Sequence, residues 1–155
     1  MVENSTPSPG FREKVRASFD RQGLMKTLGG RLLQVDAGRV EIELPYSDAV
    51  TQQNGHFHAA AVTAIADNAG GYAALTLMRP EEDVVAAEFK VNLLRPAVGP
   101  RLVAEATVLR AGRTLIVSEA RVSAFINNEP VCVAVMLQTN FRIRLEPTGH
   151  PRKIS

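Results

Sequence analysis

Asp67 and His58 are the side chains of this 155-residue chain whose surroundings most need a chemical explanation. Asp67 sits in Ala64-Ile-Ala-Asp-Asn-Ala-Gly-Gly71, among small and apolar residues. If the stretch is helical, the neighbours of Asp67 at three and four positions are Thr63, Ala64, Gly70 and Gly71, so no cation on that helix can pair with it. A carboxylate buried without a partner costs several kcal/mol or takes up a proton. Asp67 is therefore held by a residue distant in sequence, turned to water in a loop, or kept as a functional carboxylate. His58 opens the same stretch, nine residues earlier, after the polar loop Gln52-Gln-Asn-Gly55. It reads either as a solvated or capping residue or as part of a reactive helix start. The free N–H groups of such a start, with Ala59 best placed, can hold a carbonyl oxygen as it becomes an oxyanion.

Helical geometry separates the pair. Nine residues at ~100° each turn through ~900°, so His58 and Asp67 project from opposite sides and stand ~13 Å apart along the axis. They cannot share a site within one chain. Across a two-fold axis, the helix start of one subunit can face Asp67 of its neighbour. Gly70-Gly71 suits the close approach of another backbone, which would offset the ~1 kcal/mol that Gly costs against Ala in a helix.

Other chemistries find less support. His56-Phe57-His58 resembles a metal pair, but no third ligand stands at a convincing spacing, and neither metal nor cofactor is expected. The single cysteine, Cys132, excludes an intramolecular disulfide and Cys-rich metal sites. Within Val131-Cys-Val-Ala-Val135 it reads as a small buried hydrophobe. No Ser occupies a Gly-x-Ser-x-Gly turn. Arg110 and Arg113 flank the turn Ala111-Gly112 between two strands, either as a solvated hairpin tip or as a grip for phosphate.

The elements that must position these residues follow from periodicity. Residues 11–28 carry Phe11, Val15 and Phe19 at helical spacing, and Gly29-Gly30 ends them. Two short strands follow. In Arg39–Leu44, strict alternation puts Val40, Ile42 and Leu44 on one face, after a turn at Gly38. His58–Met78 is apolar on all sides, as a buried helix is. Residues 84–94, 101–110, 113–126 and 131–143 read as four long strands, antiparallel apart from any crossing over the link 95–100. One domain over residues 11–145 is expected, between flexible tails 1–10 and 146–155, with a long sheet curled around one central helix in an α+β layer. A net charge of +2 with scattered basic residues and 5% aromatics excludes the usual nucleic-acid footprint. The first ten residues lack the pattern of a signal peptide, and no apolar run approaches the ~20 residues that span a bilayer, so a cytoplasmic location away from membranes is expected.

These motifs resemble a family, the hotdog-fold acyl-CoA thioesterases related to phenylacetyl-CoA thioesterase. The resemblance covers residues 30–143. Its anchors are Gln52-x-Asn-Gly-x-x-His58, Ala66-Asp67-Asn68, Val91-Asn-Leu-Leu-Arg-Pro96 and Leu109-Arg-Ala-Gly-Arg-Thr-Leu115. It implies two subunits joining their sheets, with two sites at the dimer interface and often a pairing of dimers into tetramers. Asp67 would act as general base or nucleophile, the Ala59 N–H would polarise the thioester carbonyl, and His58 would place that loop and the leaving sulfur. Gln52 would position water or substrate, with Asn54 and Gly55 in the same loop. The turn holding Arg110, Gly112, Arg113 and Thr114 would contact the nucleotide end of coenzyme A. Two departures stand out. The family usually has His-Gly-Gly where this chain has His58-Ala59-Ala60. A Ser or Thr found in some members early in the strand after the helix is replaced here by Ala86, with Glu88 nearby as a lining candidate.

The resemblance implies hydrolysis of acyl-CoA thioesters to free acid and coenzyme A, on medium or long chains or aryl groups. Ala69, Gly70 and Ala73 would leave room for the chain. The alternatives are a non-catalytic hotdog protein that binds acyl-CoA, or a hotdog hydratase or dehydratase, against which Ala66-Asp67-Asn68 speaks.

Overall fold

The computed structural model describes residues 7–146. The helix expected over residues 11–28 forms as two, α1 (Phe11–Arg21) and α2 (Gly23–Leu28). Gln22 between them is extended, at φ −72° and ψ 115°. Gly23, a weak helix former, follows at the break. Val15 and Phe19 are buried along α1, as their spacing requires. Ser8 donates its hydroxyl to the Met78 carbonyl at 3.1 Å, so the end of the expected N-terminal tail is seated on the domain. Residues 1–6 and 147–155, the rest of both expected tails apart from Glu146, lie outside the described residues.

The hairpin of β1 (Arg31–Asp36) and β2 (Arg39–Pro45) turns at Gly38, whose φ is +73°. Val40, Ile42 and Leu44 are fully buried on one face of β2, the expected alternation. The central helix α3 (Ala59–Leu75) is buried along most of its length. After it come β3 (Glu82–Leu93), β4 (Arg101–Ala111), β5 (Leu115–Ile126) and β6 (Glu129–Arg144). All strands join one antiparallel sheet in the order β1-β2-β4-β5-β6-β3. The link after β3 therefore crosses from one edge of the sheet to its interior, at the place where the sequence allowed a crossing. Asn127 and Asn128, at φ 51° and 66°, turn β5 into β6 with the twist that suits a tight hairpin.

The sheet wraps α3, which is the hotdog architecture. Leu102, Ala104 and Ala106 of β4, Ile116 and Ala120 of β5 and Met136 of β6 face the helix and are buried. Each large side chain among them contributes about 1.5–3 kcal/mol by leaving water. Lys14 of α1 donates to the carbonyls of Arg79 and Glu82, fastening α1 over the turn between α3 and β3. No helix among the described residues is long and apolar enough to cross a membrane.

The edge strand β3 differs from the rest. Val85, Phe89 and Leu93, with Leu94 just beyond, are each about half exposed, and no helix among the described residues covers them. A long apolar edge with unpaired N–H and C=O groups is a ready site for a further strand.

Candidate active site

The local sequence at the start of α3 leaves one donor free. His58 is the N-cap: its Nδ1 accepts from the Ala60 N–H at 2.9 Å, which leaves Nε2 to carry the proton of the neutral ring. The His58 carbonyl accepts from Ala61 and Val62. The Ala59 N–H has no acceptor among the described residues, although it stands at the positive end of a 17-residue helix. Gln52 and Ala59 line one cavity of about 410 Å³, together with Phe57, Leu93 and Leu94. Gln52 uses its carbonyl oxygen to hold the Asn54 N–H, and Tyr46 donates to the Gly55 carbonyl at 3.2 Å. Asn54 and Gly55 thus shape the loop and are not among the residues that line this cavity.

Asp67 lies further along α3 and lines a different cavity of about 240 Å³, with Ala86 of β3 and Ser18 and Gln22 of the N-terminal segment. His58 and Asp67 are kept apart, as helical geometry required. The Asp67 carboxylate accepts from Gln138 Nε2 of β6 at 2.5 Å. Behind this amide runs a chain of buried donors. Asn140 donates to Ser118 at 3.3 Å, and the Ser118 hydroxyl donates to Gln138 Oε1 at 3.5 Å. The carbonyl of Gln138 is therefore committed to Ser118 and its NH₂ to Asp67, which fixes the orientation of the amide. Burial pushes the Asp67 carboxyl above the ordinary carboxylate range, and the Gln138 hydrogen bond draws it part of the way back. No cation among the described residues opposes that rise.

Gln138, Ser118 and Asn140 were absent from the sequence reading. A signal did exist. Each occupies an inward position that continues a run of apolar inward residues (Ala120, Val122 and Ala124 in β5, Ala134 and Met136 in β6), and a polar residue there needs a buried partner.

The packing over Gly70 also differs from expectation. The atoms nearest to it among the described residues belong to side chains. A Cβ at Gly70 would meet Ser118 Oγ at 2.9 Å and lie closer still to Gln138 Oε1. The space over this glycine belongs to the polar chain that reaches Asp67. Ala69, Gly70 and Ala73 are all buried in this chain and leave no open space beside them for an acyl chain.

Two further expectations are corrected. The pairing register breaks between Ala86 and Glu88. Ala86 therefore stands beside inward Asn140, whereas Glu88 stands beside Thr139 on the outer face and accepts from its hydroxyl at 3.1 Å. Glu88 does not line the Asp67 cavity. Gly112, Arg113 and Thr114 do line a cavity of about 610 Å³, with Arg79, Arg142 and Arg144. Arg110 does not, because a break in register beside Leu109 pairs it with Val117 at an exposed position. Arg142 bridges Glu82 at 2.9 Å and donates to the Gly112 carbonyl at 3.0 Å, which sets the floor of this cavity. Arg79, Arg113 and Arg144 pair with no carboxylate among the described residues. Among those residues, no cluster of three His, Cys, Asp or Glu side chains could hold a metal.

A sequence profile of the thioesterase superfamily matches residues 54–131. The matched segment includes Ala59 and Asp67 but ends before Gln138 and Asn140. A solved thioesterase family protein from Silicibacter pomeroyi is 45% identical, with a TM-score of 0.85 over 87% of this chain and 99% of that one. A protein of Saccharolobus solfataricus named as an esterase is 34% identical over 96 residues, 62% of this chain and 68% of its own length. The 1,4-dihydroxy-2-naphthoyl-CoA hydrolase of Listeria monocytogenes is 25% identical over 101 residues, 65% of this chain and 82% of its own length.

Proposed function

Because the chain belongs to the thioesterase superfamily, we propose that it hydrolyses acyl-CoA thioesters to a free acid and coenzyme A, as a homodimer with two shared sites. The observation that carries this reading is Asp67, a half-buried carboxylate that faces a cavity, has no cation partner among the described residues and is held in one orientation by the Gln138 amide. Asp67 removes a proton from water, or attacks the thioester carbonyl itself. The Ala59 N–H of the partner subunit and the dipole of its helix stabilise the oxyanion as it forms. His58 and Gln52 hold that helix start and its loop. The arginine-lined cavity at Gly112–Thr114 suits the phosphates of coenzyme A. The Listeria relative, whose name specifies a CoA thioester, supports the choice of carrier.

The dimer is supported by the edge. β3, paired with β6 on one side, is a twelve-residue edge strand with half-exposed Val85, Phe89 and Leu93 along it. Pairing two such edges would cover these side chains and bring the helix start of one subunit toward Asp67 of the other. Phe89→Asp is expected to leave the protein monomeric by sedimentation velocity and to abolish turnover. A monomer with full activity would show that one chain completes the site alone.

The deciding experiment is release of free thiol from a panel of acyl-CoAs across pH. Release is expected, with kcat/KM falling on the acid side. The midpoint should lie above the ordinary carboxylate range, because Asp67 must be ionised to act and burial raises its pKa. No release from any acyl-CoA would overturn hydrolysis and leave acyl-CoA binding as the function.

A further inference from the structure

Ser118 stands behind the residues that face the Asp67 cavity, and the chemistry proposed above does not use it. It lies on β5 directly across from Gln138 of β6, and Asn140 follows two residues later on the same inward face. All three are closed to water, with at most 1% of each exposed. A buried chain of such groups runs in one direction, because a hydroxyl has a single proton to give. The direction is set at the far end. Asn140 turns its Nδ2 to Ser118 and leaves its Oδ1 without a partner among the described residues. An unpaired carbonyl oxygen is tolerated in an interior more readily than an unpaired N–H. Having accepted from Asn140, the Ser118 hydroxyl gives its proton to Gln138 Oε1. The Gln138 amide then has its NH₂ to offer Asp67. Gly70 keeps the space for this arrangement, since a Cβ there would fall on both Ser118 Oγ and Gln138 Oε1.

Resting on the reading of this chain as a hydrolase, we propose that Ser118 is a positioning residue: its hydroxyl, oriented by Asn140, acts through Gln138 and fixes which end of that amide Asp67 meets. The two ends have opposite effects. An N–H donor favours the carboxylate, whereas a carbonyl oxygen in its place would favour the acid, whose O–H it can accept. Among the described residues, the Gln138 amide is the one side chain that hydrogen-bonds the Asp67 carboxylate. The other titratable groups nearby are Asp83 of β3 and Tyr72 of α3, which line the same cavity, with Lys14 and Arg21 of α1 beside them. Without the Ser118 hydroxyl, Gln138 is free to turn its oxygen toward Asp67, and the carboxylate loses its donor.

The test reads the pH midpoint at which Asp67 ionises, by carboxyl-carbon NMR, with its resonance identified by loss in Asp67→Asn. The acid limb of kcat/KM for thiol release is measured beside it. In Ser118→Ala both midpoints are expected to rise by about one pH unit or more, the effect of losing a hydrogen bond to a charged group. Gln138→Met fills similar space without an amide and should show a comparable rise. Adding Ser118→Ala to Gln138→Met should change nothing further. If Ser118→Ala does not fold, Ser118→Cys keeps a similar shape with a weaker donor and should give a smaller rise in the same direction. A role in packing alone would lower Tm and leave the midpoint in place, and that result would overturn the proposal. So would a second rise on top of Gln138→Met, because Ser118 would then act by another route. Should no acyl-CoA be cleaved, the hydrolase reading fails on its own, and the NMR midpoint alone decides for or against the positioning.

Discussion

Asp67→Asn is expected to lower kcat for thioester hydrolysis by about 100-fold or more, the size of a typical acid–base contribution, while making the protein more resistant to heat at neutral pH. The two effects have one cause. Burial raises the folded-state pKa of Asp67 above its unfolded value, so the folded chain holds this proton more tightly. Below the unfolded value both states are protonated and ionisation costs no stability. As pH rises between the two values the unfolded chain ionises first and stability falls, and above the folded value the loss is constant. Asn at this position carries no charge, still offers Gln138 an amide oxygen, and avoids that loss. Tm by calorimetry should therefore exceed wild type at pH ~7, with the gap closing toward pH ~4. A variant that keeps its rate would remove Asp67 from the chemistry. A variant that loses rate but melts lower at neutral pH would show that the carboxylate is held more strongly than burial opposes it.

Gly70→Ala is expected to be damaging and Gly71→Ala mild, although the two are adjacent on one buried helix. A Cβ at Gly71 meets only Asn140 Oδ1, at 3.9 Å, an ordinary contact. A Cβ at Gly70 would collide with Ser118 and Gln138. The Gln138 amide must swing away from Asp67, leaving the carboxylate without its donor and the amide without its carbonyl partner. Overpacking of this kind costs about 1–3 kcal/mol, which at ~2–4 °C per kcal/mol for a chain of this size is a fall of several degrees in Tm. The kinetic signature is a kcat reduced by about tenfold or more at little change in KM. The acid limb should also move to higher pH, because the hydrogen bond that lowers the Asp67 pKa is gone. Equal behaviour of the two variants would mean that the polar chain behind Asp67 has no part in holding it.

The fold was legible wherever a period could be counted. Val40, Ile42 and Leu44 alternate and are buried; His58–Met78 is apolar on every side and forms the central helix with His58 as its cap. The nine-residue step from His58 to Asp67 was enough to place the two apart on one helix. What resisted reading was parity within strands. The break at Ala86–Glu88 turned Glu88 to the outer face, and another beside Leu109 took Arg110 away from the turn residues it precedes. A one-residue irregularity reverses every later side chain and leaves little trace in composition. Gln138 was hidden for a different reason. It lies seventy-one residues from Asp67, a pairing that exists only once β6 lies across α3.

That dependence extends to the order in which the chain is made. β3 leaves the ribosome directly after the central helix, yet its neighbour in the sheet is β6, the last strand among the described residues. Until residues 129–144 have emerged, β3 has nothing to pair with, the wall holding Ala86 is absent and Asp67 has no amide partner. Closing so distant a contact is slow relative to the local hairpins that precede it. A nascent or C-terminally truncated chain can thus fold the β1–β2 hairpin and the β4–β5 hairpin while presenting a bare apolar strand. The partner strand of β3 and the amide partner of Asp67 are thus acquired together, once β6 has emerged.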